Sequence, residues 1–299
     1  MNCYNGEQFL KDAIYSVFAQ TYQNWELIFW DNQSTDKSKE IIQKFKNAKI
    51  KYFYSEEHTN LGEARAEAIN RASGDLIAFL DVDDLWEPEK LSKQILVFED
   101  EKIGISITNS IYFEKKKSKL YFSSRPPEGK VFKKLLINYY LPLETVMIRS
   151  SILKKNNLNF DVQFHHICDF DLFSQICFYS KLKYIDEPLS RWRIHENNAS
   201  KKDPYGFIIE KKNLEEKFKK KFTGNLKIQY YLKIFALRIF FSELIYLLIF
   251  KNEKKIFILK FIFESKRINF FFKVFFVLLF YFPYSKSIIH YFRKKKFLI

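Results

Sequence analysis

At 299 residues the chain can hold one large core with an appendage, or two modest domains, and its composition excludes a disordered polypeptide: 47% hydrophobic, 19% aromatic, only 7 Gly and 7 Pro. Cys3, Cys168 and Cys177 are too few and too scattered for a disulfide framework and have no C-x-x-C spacing for zinc, which suits a reducing cytosol. The net charge of +15 sits in the tail, since residues 1–224 carry 35 Lys+Arg against 32 Asp+Glu and residues 225–299 carry 15 against 3. A nucleic-acid reader places its cations beside its recognition surface, so no nucleic-acid partner is expected.

In chain order, polar Asn5, Gly6 and Glu7 stand where the apolar stretch of a secretory leader would lie. Phe9, Leu10, Ala13, Ile14, Val17 and Phe18 then repeat at helical spacing and predict a helix over Gly6 to Gln20. Glu26 to Trp30 reads as a strand that ends at Asp31, followed by a turn of capping residues, Asn32 to Asp36, and a helix carrying Ile41, Ile42 and Phe45. Lys49 to Tyr54 alternates as a strand, and Glu63 to Ala72 is a helix closed by Ser73-Gly74. Leu76 to Leu80 is an apolar run that stops at Asp81-Val82-Asp83-Asp84. Strand, helix, strand, helix, strand is the rhythm of an α/β domain with a mainly parallel sheet.

Pro88 opens a further helix to about Asp100, and Ile103 to Phe113 follows as a strand. Glu114 to Lys130, with its lysine run, reads as an exposed excursion. Val131 to Tyr140 is expected helical, Thr145 to Ile148 a short strand, Asp171 to Tyr179 a helix, and Tyr184 to Asp186 and Leu189 to Ile194 late strands.

The acids carry the chemistry. Three carboxylates within four positions repel one another, which a divalent cation beside them relieves. Ligands of open α/β sheets bind beyond the carboxyl ends of the strands, so parallel strands ending at Asp31 and at Asp81/Asp83 would aim both acids into one crevice.

These blocks, in order, resemble a known family. Tyr4-Asn5-Gly6-Glu7, Asp31 to Asp36, Asn60-Leu61-Gly62 with Ala64-Arg65, Asp81-Val82-Asp83-Asp84, and Asp169-Phe170-Asp171-Leu172 with Arg193-Ile194-His195 are similar to family 2 of inverting glycosyltransferases with the GT-A fold. The resemblance covers residues 4–200. It implies a Rossmann-like α/β domain over 1–222, binding a nucleotide-sugar in about 1–112 and an acceptor in about 113–222, with a basic, aromatic helical tail over 223–299.

On the matching positions, the resemblance implies that Tyr4, Asn5, Asp31, Arg65, Asp81, Asp83 and His195 bind the nucleotide-sugar. Asp31 would read the base and Arg65 the diphosphate. Asp83, with Asp81 through water or ribose, would hold Mg²⁺ or Mn²⁺, and Asp169 would be the catalytic base. The expected partners are a nucleotide-sugar donor, with UDP favoured, and a glycan or lipid-linked acceptor in bacterial cell-envelope polysaccharide synthesis. Asp169 could also serve as an N-cap for the helix that follows it.

This chain departs from the pattern at three places. Cys168 stands where the family has Glu, Gln33 replaces a turn glycine, and the family's first strand ahead of Tyr4 is missing from the reading. That last departure suggests a true start upstream of Met1, or a catalytically impaired, sugar-nucleotide-binding fragment.

In the tail, Tyr230 to Phe250 reads as an amphipathic helix. Ile268 to Phe282 is apolar but spans about 22 Å as a helix, short of the roughly 30 Å of a bilayer core. Helices lying on an anionic membrane surface are therefore expected, with Arg293 to Lys296 at the headgroups, which places the protein in the cytoplasm, peripheral to the inner membrane face. A soluble helical subdomain is the competing reading of the same stretch. Two other functions compete for the whole: Mg²⁺-dependent phosphoryl or nucleotidyl transfer, which lacks its expected early motifs, and a non-catalytic binder.

Overall fold

The computed structural model describes residues 1–249 apart from 116, 197 and 199–201, together with 260, 262, 264 and 265. It divides into a unit of Met1–Asn198 and a unit of Ala199–Ile299.

The first unit starts with an all-parallel sheet, ordered β1 (Asn2–Cys3), β2 (Leu27–Asp31), β3 (Ile50–Tyr54). Every residue of β2 is buried because helices cover both of its faces, as a central parallel strand requires. Phe29 packs with Leu10 and Ile14 of α1 (Leu10–Phe18) and Ile42 of α2 (Ser38–Lys44). Ile28 and Trp30 pack on the opposite face against Ala64 and Ala68 of α3 (Leu61–Asn70). Small alanines on α3 let the helix lie close to the bulky strand, and full burial of a side chain like Phe29 contributes about 2–3 kcal/mol.

A first strand is present, contrary to the sequence expectation, but it is two residues long. Asn2 and Cys3 pair in parallel with Trp30 and Asp31. The Met1 α-amino group donates to the Ile28 carbonyl at 2.9 Å, and burial pulls its pKa down to about 6. Leu27 and Ile28 of β2, Arg65 and Ala68 of α3 and the residues of β4 (Leu76–Ala78) line a cavity of about 600 Å³ beside this short strand.

The expectation of one mainly parallel sheet is corrected by the second sheet, which is mixed and ordered β4, β8 (Met147–Arg149), β6 (Ile103–Glu114), β9 (Lys181–Arg193), β5 (Leu85–Trp86). Among its pairings in the described residues only β6–β9 is parallel. β2 and β4 therefore belong to different sheets. The physical reason is the length of β1, whose two residues pair with β2 and have no ladder to β4 among the described residues.

The basic excursion forms a hairpin, with β7 (Lys117–Leu120) antiparallel to β6 and exposed along its length. The two late strands are one continuous strand, β9. Short helices α4 (Lys90–Leu96), α5 (Phe132–Ile137), α6 (Ser150–Asn156) and α7 (Cys168–Tyr179) complete the unit.

In the second unit, helices Pro204–Lys221 and Leu226–Ile249 pack together. Asp203 caps the first through the Gly206 N–H at 2.9 Å, with Pro204 at its favoured first position. Leu232, Phe235, Ile239 and Phe240 are buried, Lys212 pairs with Glu243 at 2.5 Å, and Tyr205 stacks on Tyr246 with centroids 4.9 Å apart. Among the described residues no helix is long and apolar enough to cross a membrane. The expectations for Ile268 to Phe282 and for Arg293 to Lys296 lie outside the described residues.

Candidate active site

Asp31 closes β2 with no solvent exposure. One carboxylate oxygen accepts the Ser34 N–H at 2.8 Å and the other accepts the Tyr52 hydroxyl at 2.9 Å. Burial, reinforced by that bond to Asp31, pushes the Tyr52 hydroxyl well up. Gln33 takes the left-handed conformation (φ 65°) that a glycine adopts freely, at a cost of about 1–2 kcal/mol, and its side-chain amide donates to the Glu56 carbonyl. The backbone of the turn therefore keeps its shape despite the substitution. Asn5 is bound to the same turn: its N–H donates to Ser34 Oγ at 3.0 Å and its Oδ1 accepts the Thr35 N–H at 2.8 Å. Tyr4 lies beside it, half exposed, its ring 4.2 Å from that of His58. Tyr4, Asn5 and Asp31 thus form one cluster.

The acidic turn is joined to this cluster through Gly6. Its N–H donates to Ser38 Oγ at 2.9 Å, and a Cβ there would stand 2.9 Å from the Val82 side chain. One ligand atom from each of Asp81, Asp83 and Asp84 lies within 4.8 Å of the others. Each acid has a separate partner. Asp81 receives Arg65 through both oxygens at 3.0 Å, Asp83 meets His195 Nε2 at 2.8 Å, and Asp84 accepts the Arg193 N–H at 2.9 Å. Burial, then repulsion from Asp81, holds the Asp83 carboxyl above the usual carboxylate range. Hard oxygen donors under mutual repulsion suit Mg²⁺ or Mn²⁺, so the residues present fit the expected ion.

Asp169 sits in the first turn of α7, which starts at Cys168, earlier than the sequence spacing indicates. The N-cap position is Ile167, with no side-chain cap, so Asp169 lies inside the first turn and not at the cap position. Arg65 links this helix to the acidic turn. Its guanidinium is buried, lies 3.4 Å from Cys168 Sγ, and stays charged because Asp81, Cys168 and Asp169 outweigh the opposing effect of burial.

Asn60 and Gly62 hold Arg65 there. Asn60 caps α3 through the Glu63 N–H at 3.0 Å and donates to the Val162 carbonyl at 2.6 Å. A Cβ on Gly62 would stand 2.2 Å from the Phe164 carbonyl and 2.6 Å from that of Asp161. Backbone cannot yield as a flexible side chain does, so Gly62→Ala is expected to cost about 2 kcal/mol and lower Tm by about 5 °C in a thermal melt.

Three polar neighbours of the site gave no signal in the sequence. Glu144 is buried beneath the acidic turn, accepts the Ser110 hydroxyl at 2.7 Å, and is pushed up to about 7 by burial. Burial, then repulsion from Glu144, likewise raises Asp84, while Lys90, fully buried beside Gln94, is lowered to about 7 by burial. The third is Tyr139, whose hydroxyl donates to Asp169 Oδ2 at 2.9 Å. Each lies in a segment without a motif, and contacts across long sequence separations bring it to the site.

The fold is α/β with acids gathered at strand ends, and comparison with known proteins gives the family. The model described as glycosyl transferase family 2 matches residues 1–165, and the chain belongs to that family. Residues in common extend to the putative teichuronic acid biosynthesis glycosyltransferase TuaG of Bacillus subtilis, 32% identical over 147 residues, 48% of this chain and 58% of that one. The chain thus spans under two thirds of that relative's length. The UDP-Glc:alpha-D-GlcNAc-diphosphoundecaprenol beta-1,3-glucosyltransferase WfgD of Escherichia coli is 32% identical over 176 residues, 59% of this chain and 67% of that one. The fold is similar to that of Staphylococcus aureus TarS 1-349 in complex with UDP-GlcNAc, with a TM-score of 0.66 at 19% identity over 81% of this chain and 71% of that one.

Proposed function

We propose that the protein is an inverting glycosyltransferase that moves a sugar from a UDP-sugar donor to a glycan or lipid-linked acceptor in cell-envelope polysaccharide synthesis. The observation that carries this reading is the Arg65 bridge, which puts the first acid of the Asp81–Asp84 turn and the Asp169 helix turn on one guanidinium. Inversion needs a proton acceptor across the sugar from the leaving group, and a second carboxylate site on the far side of Arg65 from the acidic turn supports that reading. The relatives support the setting: one is named for teichuronic acid synthesis and the other for transfer from UDP-Glc onto a lipid-linked diphosphate acceptor.

In this mechanism the buried Asp31 accepts the N–H of a uracil ring, with Tyr4 and Asn5 lining the base and ribose. Asp83, with Asp81, would hold Mg²⁺ or Mn²⁺, which supplies Lewis-acid neutralisation of the departing diphosphate. Arg65 adds a fixed positive charge suited to phosphate oxygens, and His195 holds the Asp83 carboxylate in place. Asp169 takes the acceptor hydroxyl proton as the new oxygen–C1 bond forms and the C1–phosphate oxygen bond breaks. Residues 1–112 bind the donor and 113–222 the acceptor, while 223–299 associates with the anionic inner face of the membrane through its concentration of cations.

The test is a screen of UDP-sugars with the purified protein, Mn²⁺ and undecaprenyl-diphosphate-linked GlcNAc, scored by UDP release and by NMR of the product. A β-linked product from an α-linked donor is expected. An α-linked product, or release of no nucleotide from any donor, contradicts the proposal.

A further inference from the structure

We propose that Tyr139 is the positioning residue for the base, holding one oxygen of Asp169 so that the other is left to receive the acceptor proton. This inference rests on the reading of Asp169 as the base. Tyr139 follows α5, far from any motif of the chain, and its hydroxyl reaches Asp169 Oδ2 at 2.9 Å. The hydroxyl is located by packing: the Tyr139 ring stacks on Phe170, the residue next to the base, with centroids 4.5 Å apart and planes at 25°. A ring held by this stack presents its hydroxyl at a set place, so the hydrogen bond restricts the carboxylate's rotation.

The bond also tunes the base. Burial raises the Asp169 carboxyl above its ordinary range, and Arg65 and then Tyr139 oppose that rise by favouring the charged form. The titratable and charged groups facing Asp169 are Arg65 from α3, Tyr139 from the segment after α5, Tyr121 from the segment after β7, and Cys168 from its own helix, while the backbone N–H groups of Asp169 and Phe170 also favour its charged form. Only Tyr139 among the tyrosines donates a hydrogen bond to it in the described residues. The Tyr139 hydroxyl is itself held far above its usual range by burial and by the adjacent carboxylate, so it remains a donor at every working pH.

The sign follows directly. Removing a donor to a carboxylate disfavours the ionised form, so the Asp169 midpoint rises and the base is lost at a higher pH. The experiment is a carboxyl ¹³C NMR titration of the full chain labelled at aspartate, with the Asp169 resonance assigned by its absence in Asp169→Asn. In Tyr139→Phe, which keeps the ring stack, the midpoint is expected to rise by about one pH unit. UDP release from UDP-glucose should lose about tenfold in kcat with little change in donor KM, its acid limb moving up with the midpoint. Tyr121→Phe should leave the midpoint in place.

An unchanged or lowered midpoint in Tyr139→Phe overturns the inference, as does an equal rise in Tyr121→Phe. Failure of the underlying reading looks different: Asp169→Asn would then release UDP at the wild-type rate, whatever the titration of Tyr139→Phe shows.

Discussion

Asp169→Asn is expected to reduce sugar transfer about a thousandfold while leaving UDP affinity within about twofold of the wild type. The amide matches the carboxylate in shape and still accepts the Tyr139 hydroxyl, so α7 keeps its packing. It cannot take a proton. Arg65 retains both oxygens of Asp81, which keeps the opposite wall of the site in place. The loss therefore falls on kcat, and separate assays of UDP release and UDP binding distinguish it from a collapse of the donor site.

Asp83→Asn is expected to do the reverse to the donor side: metal-dependent turnover falls by about a thousandfold, and added Mn²⁺ no longer accelerates UDP release. Stability should not suffer. The Asp83 carboxyl is raised by burial and by repulsion from Asp81, so neutralising it relieves strain in the apo protein, and Tm should stay level or rise. His195 keeps a hydrogen-bond acceptor in the amide oxygen. A variant at once more stable and less active would mark Asp83 as a position where folding and function conflict.

Much of the fold was legible because its periodicity is local. β2 reads as a strand from five consecutive residues, and α1 from apolar residues at helical spacing, since each buries against neighbours that sequence pattern alone implies. The sheet order was not legible. Whether β4 runs beside β2 or antiparallel to β8 depends on a β1 of two residues, which no propensity resolves. The start of α7 was misplaced for a similar reason: Cys168 and Asp169 are poor helix signals, and their helical state comes from packing around Phe170 and Arg65.

The candidate site divides along the same line. Asp31, Asp81, Asp83 and Asp169 stand in motifs whose spacing carries meaning, and Arg65 joins two of the segments that bear them, the acidic turn and the start of α7. Glu144, Lys90 and Tyr139 were invisible because buried polar partners are chosen by three-dimensional proximity; Glu144 meets Ser110 across 34 positions and Tyr139 meets Asp169 across 30. Gly62 entered the sequence reading only within the Asn60-Leu61-Gly62 block, and its actual constraint, a backbone approach to Phe164 and Asp161, needed coordinates.

The most direct measurement is calorimetric titration of UDP into the purified protein with and without Mn²⁺. If the acids of the turn and of β2 serve one nucleotide, Mn²⁺ tightens UDP binding by at least about tenfold, and Asp83→Asn removes that gain. UDP that binds equally well in the presence of a chelator, or does not bind at all, would contradict a cation-assisted donor site.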